Sequence, residues 1–236
     1  MLRSLVGSEM CIRDSNNIMD ADAALCCLKE FNQTACVIVK HANPCGASIG
    51  DDLVKTYQNA FKADSVSAFG GIVAINRKCT EELAEILKDI FIEIVVAPSF
   101  EKEALKVLST KKNLRLLEVQ GIENQDRKYE MRNLYGGILV QQENNDILKV
   151  DELKVVTNTK PTDDTIKSML FGWQVLKHVK SNAIITVKDN TTVGIGAGQV
   201  SRIDAVDIAI SKSKAAIKGS ILCSDAFFPF RDSIDK

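Results

Sequence analysis

The sequence is poor in several features that would point to particular classes of protein. None of its apolar runs approaches the roughly 20 residues needed to span a bilayer, so we expect no membrane partner. The formal net charge is only −1 over 236 residues, and no basic field indicates nucleic acid as a partner. The seven cysteines, an odd number without paired spacing, are typical of reduced thiols rather than of a disulfide framework. These absences favour a cytoplasmic globular protein.

Residues 1–15 stand apart from the rest of the chain. Their apolar stretch is too short for a secretory signal, and acidic residues follow it closely. We interpret this segment as translated vector or adapter sequence joined to a truncated reading frame, and we exclude it from the prediction of the fold.

Residues 16–150 alternate between apolar, β-branched runs and amphipathic stretches. The runs predict buried strands at residues 35–39, 70–75, 92–96 and 114–117. Helices are predicted to begin at Asp20, at Asp51 or Asp52, at Thr80 and at Ser99. The alternation predicts a three-layer α/β lobe with a mainly parallel sheet.

A polar stretch, residues 141–161, is the predicted linker to a second lobe, which covers residues 151–236. A long amphipathic helix is predicted from Asp163 or Asp164, with apolar positions at Ile166, Met169, Leu170, Trp173 and Leu176. Two strands, residues 183–187 and 192–195, are predicted to flank a tight turn at Asp189-Asn190. A helix opened by Ser201 and a strand at residues 221–223 complete the prediction.

The segment around Lys40 and His41 carries the strongest chemical signal. An apolar run delivers these two ionisable side chains side by side, and Asn43-Pro44-Cys45-Gly46 then predicts a sharp loop, because Pro44 lacks a donor and restricts the residue before it. His41 is one of two histidines, and histidine is the most frequent general base near neutral pH. On residue type alone, a hydrogen-bonded structural histidine and a surface lysine remain the alternative.

A metal site at His41 and Cys45 is a further hypothesis. Zinc deaminases use His-x-Glu followed by Pro-Cys-x-x-Cys. Here Asn43 occupies the glutamate position, and the sequence contains no Cys-x-x-Cys. We therefore predict no catalytic metal.

The glycines of residues 194–199 suggest a dinucleotide-binding loop, but the fingerprint needs a glycine where Gln199 stands. A glycine-rich turn that lets the backbone approach a ligand remains as the interpretation.

Four segments together resemble one known family. They are Lys-His-Ala-Asn-Pro-Cys-Gly at residues 40–46, Ser-Ala-Phe-Gly-Gly at 67–71, Lys-Ser-Asn-Ala at 180–183, and Ser-Asp-Ala-Phe-Phe-Pro-Phe-Arg-Asp at 224–232. In this order they are similar to the transformylase domain of the AICAR formyltransferase/IMP cyclohydrolase family, from about Asn16 to Lys236. The resemblance implies two cytidine-deaminase-like lobes, the second of them incomplete.

The resemblance also implies an activity in de novo purine synthesis. The formyl group of 10-formyltetrahydrofolate would pass to the 5-amino group of the nucleotide AICAR, giving FAICAR and tetrahydrofolate. The family works as a homodimer, so AICAR, folate and a second copy of the chain are the expected partners.

Particular residues inherit roles from this resemblance. His41 would act as general base, Lys40 would return a proton or stabilise the oxyanion, and Asn182 would hold the formyl oxygen. The implied nucleotide contacts are Gly70, Glu93, Arg202 and Phe227, and the implied folate contacts are Ile203 and Asp232.

Several of these residues also have a simpler interpretation. Asn182 is of a type common at helix ends, Gly70 can serve as a hinge, and Phe227 can be a core or interface aromatic. Glu93 stands inside an apolar run and needs a hydrogen-bonding partner, which ribose hydroxyls or amide donors would supply.

Two other functional classes remain open: a zinc hydrolase of the deaminase type and a non-catalytic nucleotide-binding module. The family's cyclohydrolase domain, its Arg-Tyr-Gly segment, its glycine-serine folate loop and its terminal arginine-and-histidine segment have no counterpart in this sequence. We therefore expect little or no transformylase activity from the 236-residue chain by itself.

Overall fold

The computed structural model describes residues 5–122 and 129–236, with side chains described from residue 15 onward. The strands are β1 (Thr34–Lys40), β2 (Asn43–Gly50), β3 (Ile72–Ile75), β4 (Ile94–Ala97), β5 (Arg115–Glu118), β6 (Tyr129–Leu134), β7 (Gly137–Gln142), β8 (Ile184–Lys188), β9 (Thr191–Gly196) and β10 (Ile221–Ser224). The α-helices are α1 (Leu5–Leu28), α2 (Leu53–Ala63), α3 (Ser65–Ala68), α4 (Glu81–Lys88), α5 (Lys102–Leu108), α6 (Asp163–Leu176), α7 (Arg202–Ser213) and α8 (Asp232–Asp235).

Eight strands form one mixed sheet in the order β10-β8-β9-β2-β1-β3-β4-β5. The expected parallel pairing is present only where β3, β4 and β5 lie side by side. The other pairs are antiparallel. One reason is that two-residue turns join β1 to β2 and β8 to β9, and so short a turn can connect only antiparallel neighbours.

Helices cover both faces of this sheet, which confirms the three-layer α/β prediction. Along β1, Val37 and Val39 pack in one core with the α1 residues Ala24 and Leu28 and with α6. The alternate residues of β1 point to the opposite face, into a second core with α2, α4 and α5. Because both faces are buried, β1 is apolar at successive positions rather than at every second one.

The sheet runs without interruption through both segments that the sequence suggested as lobes. Strand β2 pairs with β9 at Ser48 and Thr191, and the backbone N–H of Ala47 donates to Thr192 Oγ1 at 2.9 Å. The division at residue 150 remains a prediction about domains, but the central sheet is shared by the two segments.

Helix α1 differs from the prediction at its start. It begins at Leu5 and passes through residues 5–15, which we had set apart, and Asp20 lies in its interior rather than at its cap. The predicted cap residues of two other helices are confirmed, because Asp52 accepts from Lys55 N and Thr80 accepts from Leu83 N.

Helix α6 buries a face that only partly matches the predicted one. Its buried positions include the predicted Leu176 but also Ser168, Phe171 and Val175, whereas Met169 and Trp173 are exposed. The small residue Gly172 explains why this face of the helix lies against the sheet, because a Cβ there would lie 2.5 Å from Cys223 Sγ. The helix therefore packs closely on β10 through a position that hydrophobicity does not reveal.

The glycines of β9 serve helix packing rather than a ligand. A Cβ on Gly194 would lie 2.1 Å from the Ala209 carbonyl oxygen, and one on Gly196 would lie 2.0 Å from the Ala205 carbonyl oxygen. Both carbonyls belong to α7, so these two glycines let that helix approach the sheet. The interpretation of a ligand-approaching turn is therefore wrong at these two positions.

A separate hairpin, β6 and β7, lies just before the predicted linker and overlaps its first two residues, in a stretch for which the sequence predicted no element. Its strands pair in register from Tyr129 opposite Gln142 to Leu134 opposite Gly137.

Within the described residues, no helix is both long and apolar enough to cross a membrane.

Candidate functional site

Most of the predicted site residues lie at one end of the sheet. His41 follows β1, Gly70 and Glu93 precede β3 and β4, and Asn182 and Arg202 flank β8 and β9. Strand registers place these positions together, since Val39 pairs with Ile72, Ile72 with Ile94, and Ile184 with Gly196. Residues that are far apart in the sequence, from His41 to Arg202, therefore lie along a single edge of the sheet.

The turn that carries His41 is shorter than expected. Only His41 and Ala42 lie between β1 and β2, and both have left-handed backbone conformations, with φ of 53° and 55°. Such a conformation costs about 1 kcal/mol or more for a residue with a Cβ. The turn is therefore tight and needs outside support.

The Asn-Pro-Cys-Gly segment is strand, not loop. Pro44 pairs with Val39 and Gly46 with Ile38, so Cys45 is the extra residue of a β-bulge. A bulge is one of the few places where a sheet tolerates proline, because the ladder is already interrupted there. Burial raises the pKa of the Cys45 thiol to about 12, which leaves it protonated and unreactive at neutral pH.

Lys40 is held in a defined position. Its Nζ donates to the carbonyl oxygen of Phe69 at 2.6 Å, next to the hinge at Gly70, whose φ is 72°. The N–H of Gly70 donates in turn to the Phe91 carbonyl at 2.8 Å. The Phe69 carbonyl takes only one of the donors on Lys40 Nζ, so further donors remain for a bound group.

Glu93 has a partner within the chain. Its side chain is mostly buried and lies 3.4 Å from Arg115 Nη1 on β5. This ion pair offsets the burial of the carboxylate that the sequence left unexplained. A nucleotide contact by Glu93 stays a prediction.

Asn182 uses both donors of its amide inside the chain. Its Nδ2 donates to the carbonyl oxygens of Gln199 and Val200, each at 2.9 Å. Two carbonyl acceptors fix which end of the amide is nitrogen. In this arrangement Asn182 can offer a ligand an acceptor, Oδ1, rather than the donor that the resemblance implied.

Arg202 is turned into the protein. Its side chain is only 8% exposed, and Nη1 donates to Asp225 and to the Ala183 carbonyl. Burial alone would raise the pKa of Asp225, but hydrogen bonds from Ser181 and Arg202 outweigh it and hold that pKa below its usual value. The expected fork toward a substrate is therefore occupied by an internal ion pair, although Nε has no partner among the described residues.

The remaining predicted contacts are more exposed. Phe227 is 80% exposed, so it is not a core aromatic, whereas its neighbour Phe228 packs against Ile184 and α7. Ile203 is half-buried in the first turn of α7, and Asp232 is exposed at the start of α8. Among the described residues, no hydrogen bond or ion pair joins Asp232 to His41.

Lys40 and His41 line a cleft of about 420 Å³. Its other walls come from both segments of the chain, namely Asn43, Pro44, Cys45, Ser67, Ile195, Ala197, Gln199, Ile208 and Lys212. Asn43 also links the segments directly, because its Oδ1 accepts from Lys180 N at 3.0 Å. The cleft thus places two ionisable groups where both parts of the sheet meet.

Sequence reasoning missed Ser67, Lys212 and Asp20 as parts of this site. Lys212 lines the cleft, and its Nζ lies 2.7 Å from Asp64 Oδ2. Asp20 accepts hydrogen bonds from the backbone N–H groups of His41 and Ala42. The helical spacing of Asp20 from Ala24, which is fully buried, is compatible with the side of α1 that faces the sheet, but spacing alone does not identify His41 and Ala42 as its partners.

Two larger clefts lie elsewhere, of about 840 Å³ beside residues 144–152 and about 540 Å³ between α2 and α7. Neither is lined by a histidine, so neither offers an imidazole base. Over the described residues, no group of three or more histidine, cysteine or acidic side chains is placed to hold a metal ion.

Comparisons with known proteins agree with the motifs. A family model described as the AICARFT/IMPCHase bienzyme matches residues 2–212, a range that includes most of the segment we set apart. The bifunctional purine biosynthesis protein PurH of Caldicellulosiruptor saccharolyticus is 49% identical over 220 residues, which are 93% of this chain and 43% of that protein. PurH of Bacillus cytotoxicus is 48% identical over 221 residues, 94% of this chain and 43% of its own length.

PurH of Staphylococcus carnosus is 50% identical over 220 residues, 93% of this chain and 44% of that protein. The chain therefore spans less than half the length of the curated relatives that it matches.

Proposed function

Because the chain belongs to the AICARFT/IMPCHase bienzyme family, we propose that it carries the base and the cation of a formyltransferase site. The donor would be 10-formyltetrahydrofolate, and the acceptor would be the 5-amino group of AICAR. The observation that carries the proposal is the cleft lined by Lys40, at the end of β1, and by His41, on the turn that follows, with walls from both segments of the chain.

The chemistry needs one proton removed and one delivered. The amine nitrogen attacks the formyl carbon and forms a C–N bond, while His41 accepts the proton that the amine loses. The carbonyl oxygen becomes an oxyanion, which the ammonium of Lys40 stabilises. The oxyanion then collapses to a carbonyl as the bond from carbon to the folate nitrogen breaks, and that nitrogen takes up the proton that His41 removed from the amine.

Asn182 has a modified role in this proposal. Since its two donors are bound to Gln199 and Val200, we assign it to orient the substrate through Oδ1. An acceptor at that position suits an N–H of the amine or of the carboxamide. Gly70, Glu93, Arg202 and Phe227 as nucleotide contacts, and Ile203 and Asp232 as folate contacts, remain proposals from the family resemblance.

The test uses a protein of the relatives' full length that contains this segment, called the full-length protein below. We expect it to convert AICAR and 10-formyltetrahydrofolate into FAICAR and tetrahydrofolate without added zinc. Nucleotide binding without turnover would instead support a binding module. Release of ammonia from a nucleotide, together with stoichiometric zinc, would support a deaminase-type hydrolase.

We further propose that the full-length protein is a homodimer in the cytoplasm. The hairpin β6–β7 supports association, because Tyr129, Met131, Ile138 and Val140 share one face of it and all are exposed. An isolated two-stranded hairpin is marginally stable in water and gains from a covered face. Cys36, Cys45 and Cys79 are buried free thiols, which supports a reducing compartment.

Light scattering on the full-length protein tests the dimer. We expect twice the monomer mass, and Ile138→Glu should shift the mass toward the monomer by placing a charge on the apolar face. An active wild-type monomer would contradict the proposal.

A further inference from the structure

We propose that Asp20 is a positioning residue for His41. Its carboxylate holds the turn that presents the His41 imidazole to the cleft. This inference rests on the function proposed above for His41. It concerns a residue in the interior of α1, 21 positions before the histidine that it serves.

Asp20 binds the backbone of the turn and not the imidazole. Oδ1 accepts from Ala42 N at 2.7 Å, and Oδ2 accepts from His41 N at 3.2 Å. Both oxygens of one carboxylate are thus engaged by successive N–H groups. Hydrogen bonds to an ionised acceptor are stronger than those between neutral groups.

The turn needs this support, as comparison with the second two-residue turn of the sheet shows. That turn is formed by Asp189 and Asn190, with φ of 49° and 55°. Asp and Asn tolerate left-handed conformations, because their short polar side chains hydrogen-bond locally. Ala42 adopts the same conformation with φ of 55° and has no polar side chain to stabilise it.

The carboxylate is itself held in place by packing. Ala24 and Leu28 follow Asp20 at one-turn intervals and are fully buried in the core that contains β1. The helix that carries Asp20 is therefore fixed to the strand that delivers His41. Through this packing, α1 places the Asp20 carboxylate beside the turn that follows β1.

The experiment first removes the hydrogen bonds from the turn to Asp20. It then replaces Ala42 by a residue that adopts the turn conformation without that support. In the full-length protein, Asp20→Ala should lower kcat by about ten- to a hundredfold, because a displacement of about 1 Å at a catalytic group has effects of that size. The KM for AICAR should change little, since a general base acts in the transition state. Adding Ala42→Gly should restore kcat to near that of the Ala42→Gly single variant, because glycine adopts positive φ without steric cost.

Amide exchange supplies a readout that is independent of turnover. In the 236-residue chain, NMR should show faster solvent exchange of the Ala42 amide proton in Asp20→Ala than in the wild type. Asp51→Ala, which removes an exposed acid, serves as the matched control and should change neither exchange nor kcat. Asp20→Asn keeps one acceptor oxygen and should give an intermediate loss, so it decides the question if Asp20→Ala fails to fold.

The outcomes separate this inference from the function on which it rests. A full-length wild type without formyl transfer would overturn the proposed function, and amide exchange alone would then decide whether Asp20 holds the turn. An active wild type with an equally active Asp20→Ala variant would overturn the positioning role and leave the function intact. A loss that Ala42→Gly does not restore would also overturn it, because the damage would then lie outside the turn.

Discussion

Replacing His41 by alanine in the full-length protein is expected to lower kcat for formyl transfer by about 10²–10⁴-fold, the usual contribution of a positioned general base. The AICAR amine is a weak nucleophile and must lose its proton as it attacks. The structure offers His41 at the tip of the β1–β2 turn, on the wall of the cleft that also contains Lys40. KM should change little, because the proton transfer is made in the transition state.

The other histidine provides the matched control. His178 lies at the end of α6, where its Nε2 is 3.0 Å from Glu30 Oε1, and it does not line the cleft. His178→Ala should therefore retain the wild-type kcat although it weakens a structural contact. Full activity without the imidazole would exclude His41 as the base.

The sequence was most informative where chemistry depends on residue type and local order. A lysine and a histidine at the end of a buried strand were predicted from the apolar run and confirmed at the end of β1. The tight turn at Asp189-Asn190 was also predicted from residue type, because Asp and Asn favour the left-handed conformation that both residues adopt there. Both signals lie within a few residues and need no tertiary information.

Contacts between distant residues explain what the sequence could not reveal. The support of Asp20 for His41, the packing of α7 on Gly194 and Gly196, and the internal pairing of Arg202 each join elements far apart in the chain. A glycine that admits a helix and a glycine that admits a ligand are identical in a single sequence. An arginine that binds an internal aspartate likewise cannot be distinguished from one that binds a substrate until the partner's position is known.

The contact between the ends of α1 and α6 leads to a prediction on stability. Glu30 follows α1, and its side chain is only 7% exposed. Lys177 Nζ lies 2.9 Å from Glu30 Oε1, and His178 Nε2 lies 3.0 Å from the same atom. Gln174 Nε2 donates to the backbone carbonyl of Glu30 at 3.1 Å. A residue of the first segment is thus bound by three residues of the second.

Glu30→Gln should lower the free energy of unfolding of the 236-residue chain by roughly 1–3 kcal/mol at neutral pH, because it leaves the largely buried Lys177 without its anion. Urea unfolding measures the change. Asp164→Asn is the matched control, since Asp164 pairs with Lys167 on the same helix but both side chains are mostly exposed. Exposed pairs contribute little, so the control should unfold at the wild-type midpoint.

The dependence on pH tests the cause of the effect. Burial alone would raise the pKa of Glu30, but hydrogen bonds from His178 and Lys177 outweigh it and hold the pKa below its ordinary value of 4.5. A lowered pKa means that the unfolded chain takes up the proton first, so the stabilisation is complete above that value and is lost as the pH falls through the folded-state pKa. The difference between wild type and Glu30→Gln should therefore be constant near neutral pH and shrink in acid. A difference that persists unchanged into acid would show that the loss came from packing, because only the charged form of Glu30 distinguishes the two chains through this ion pair.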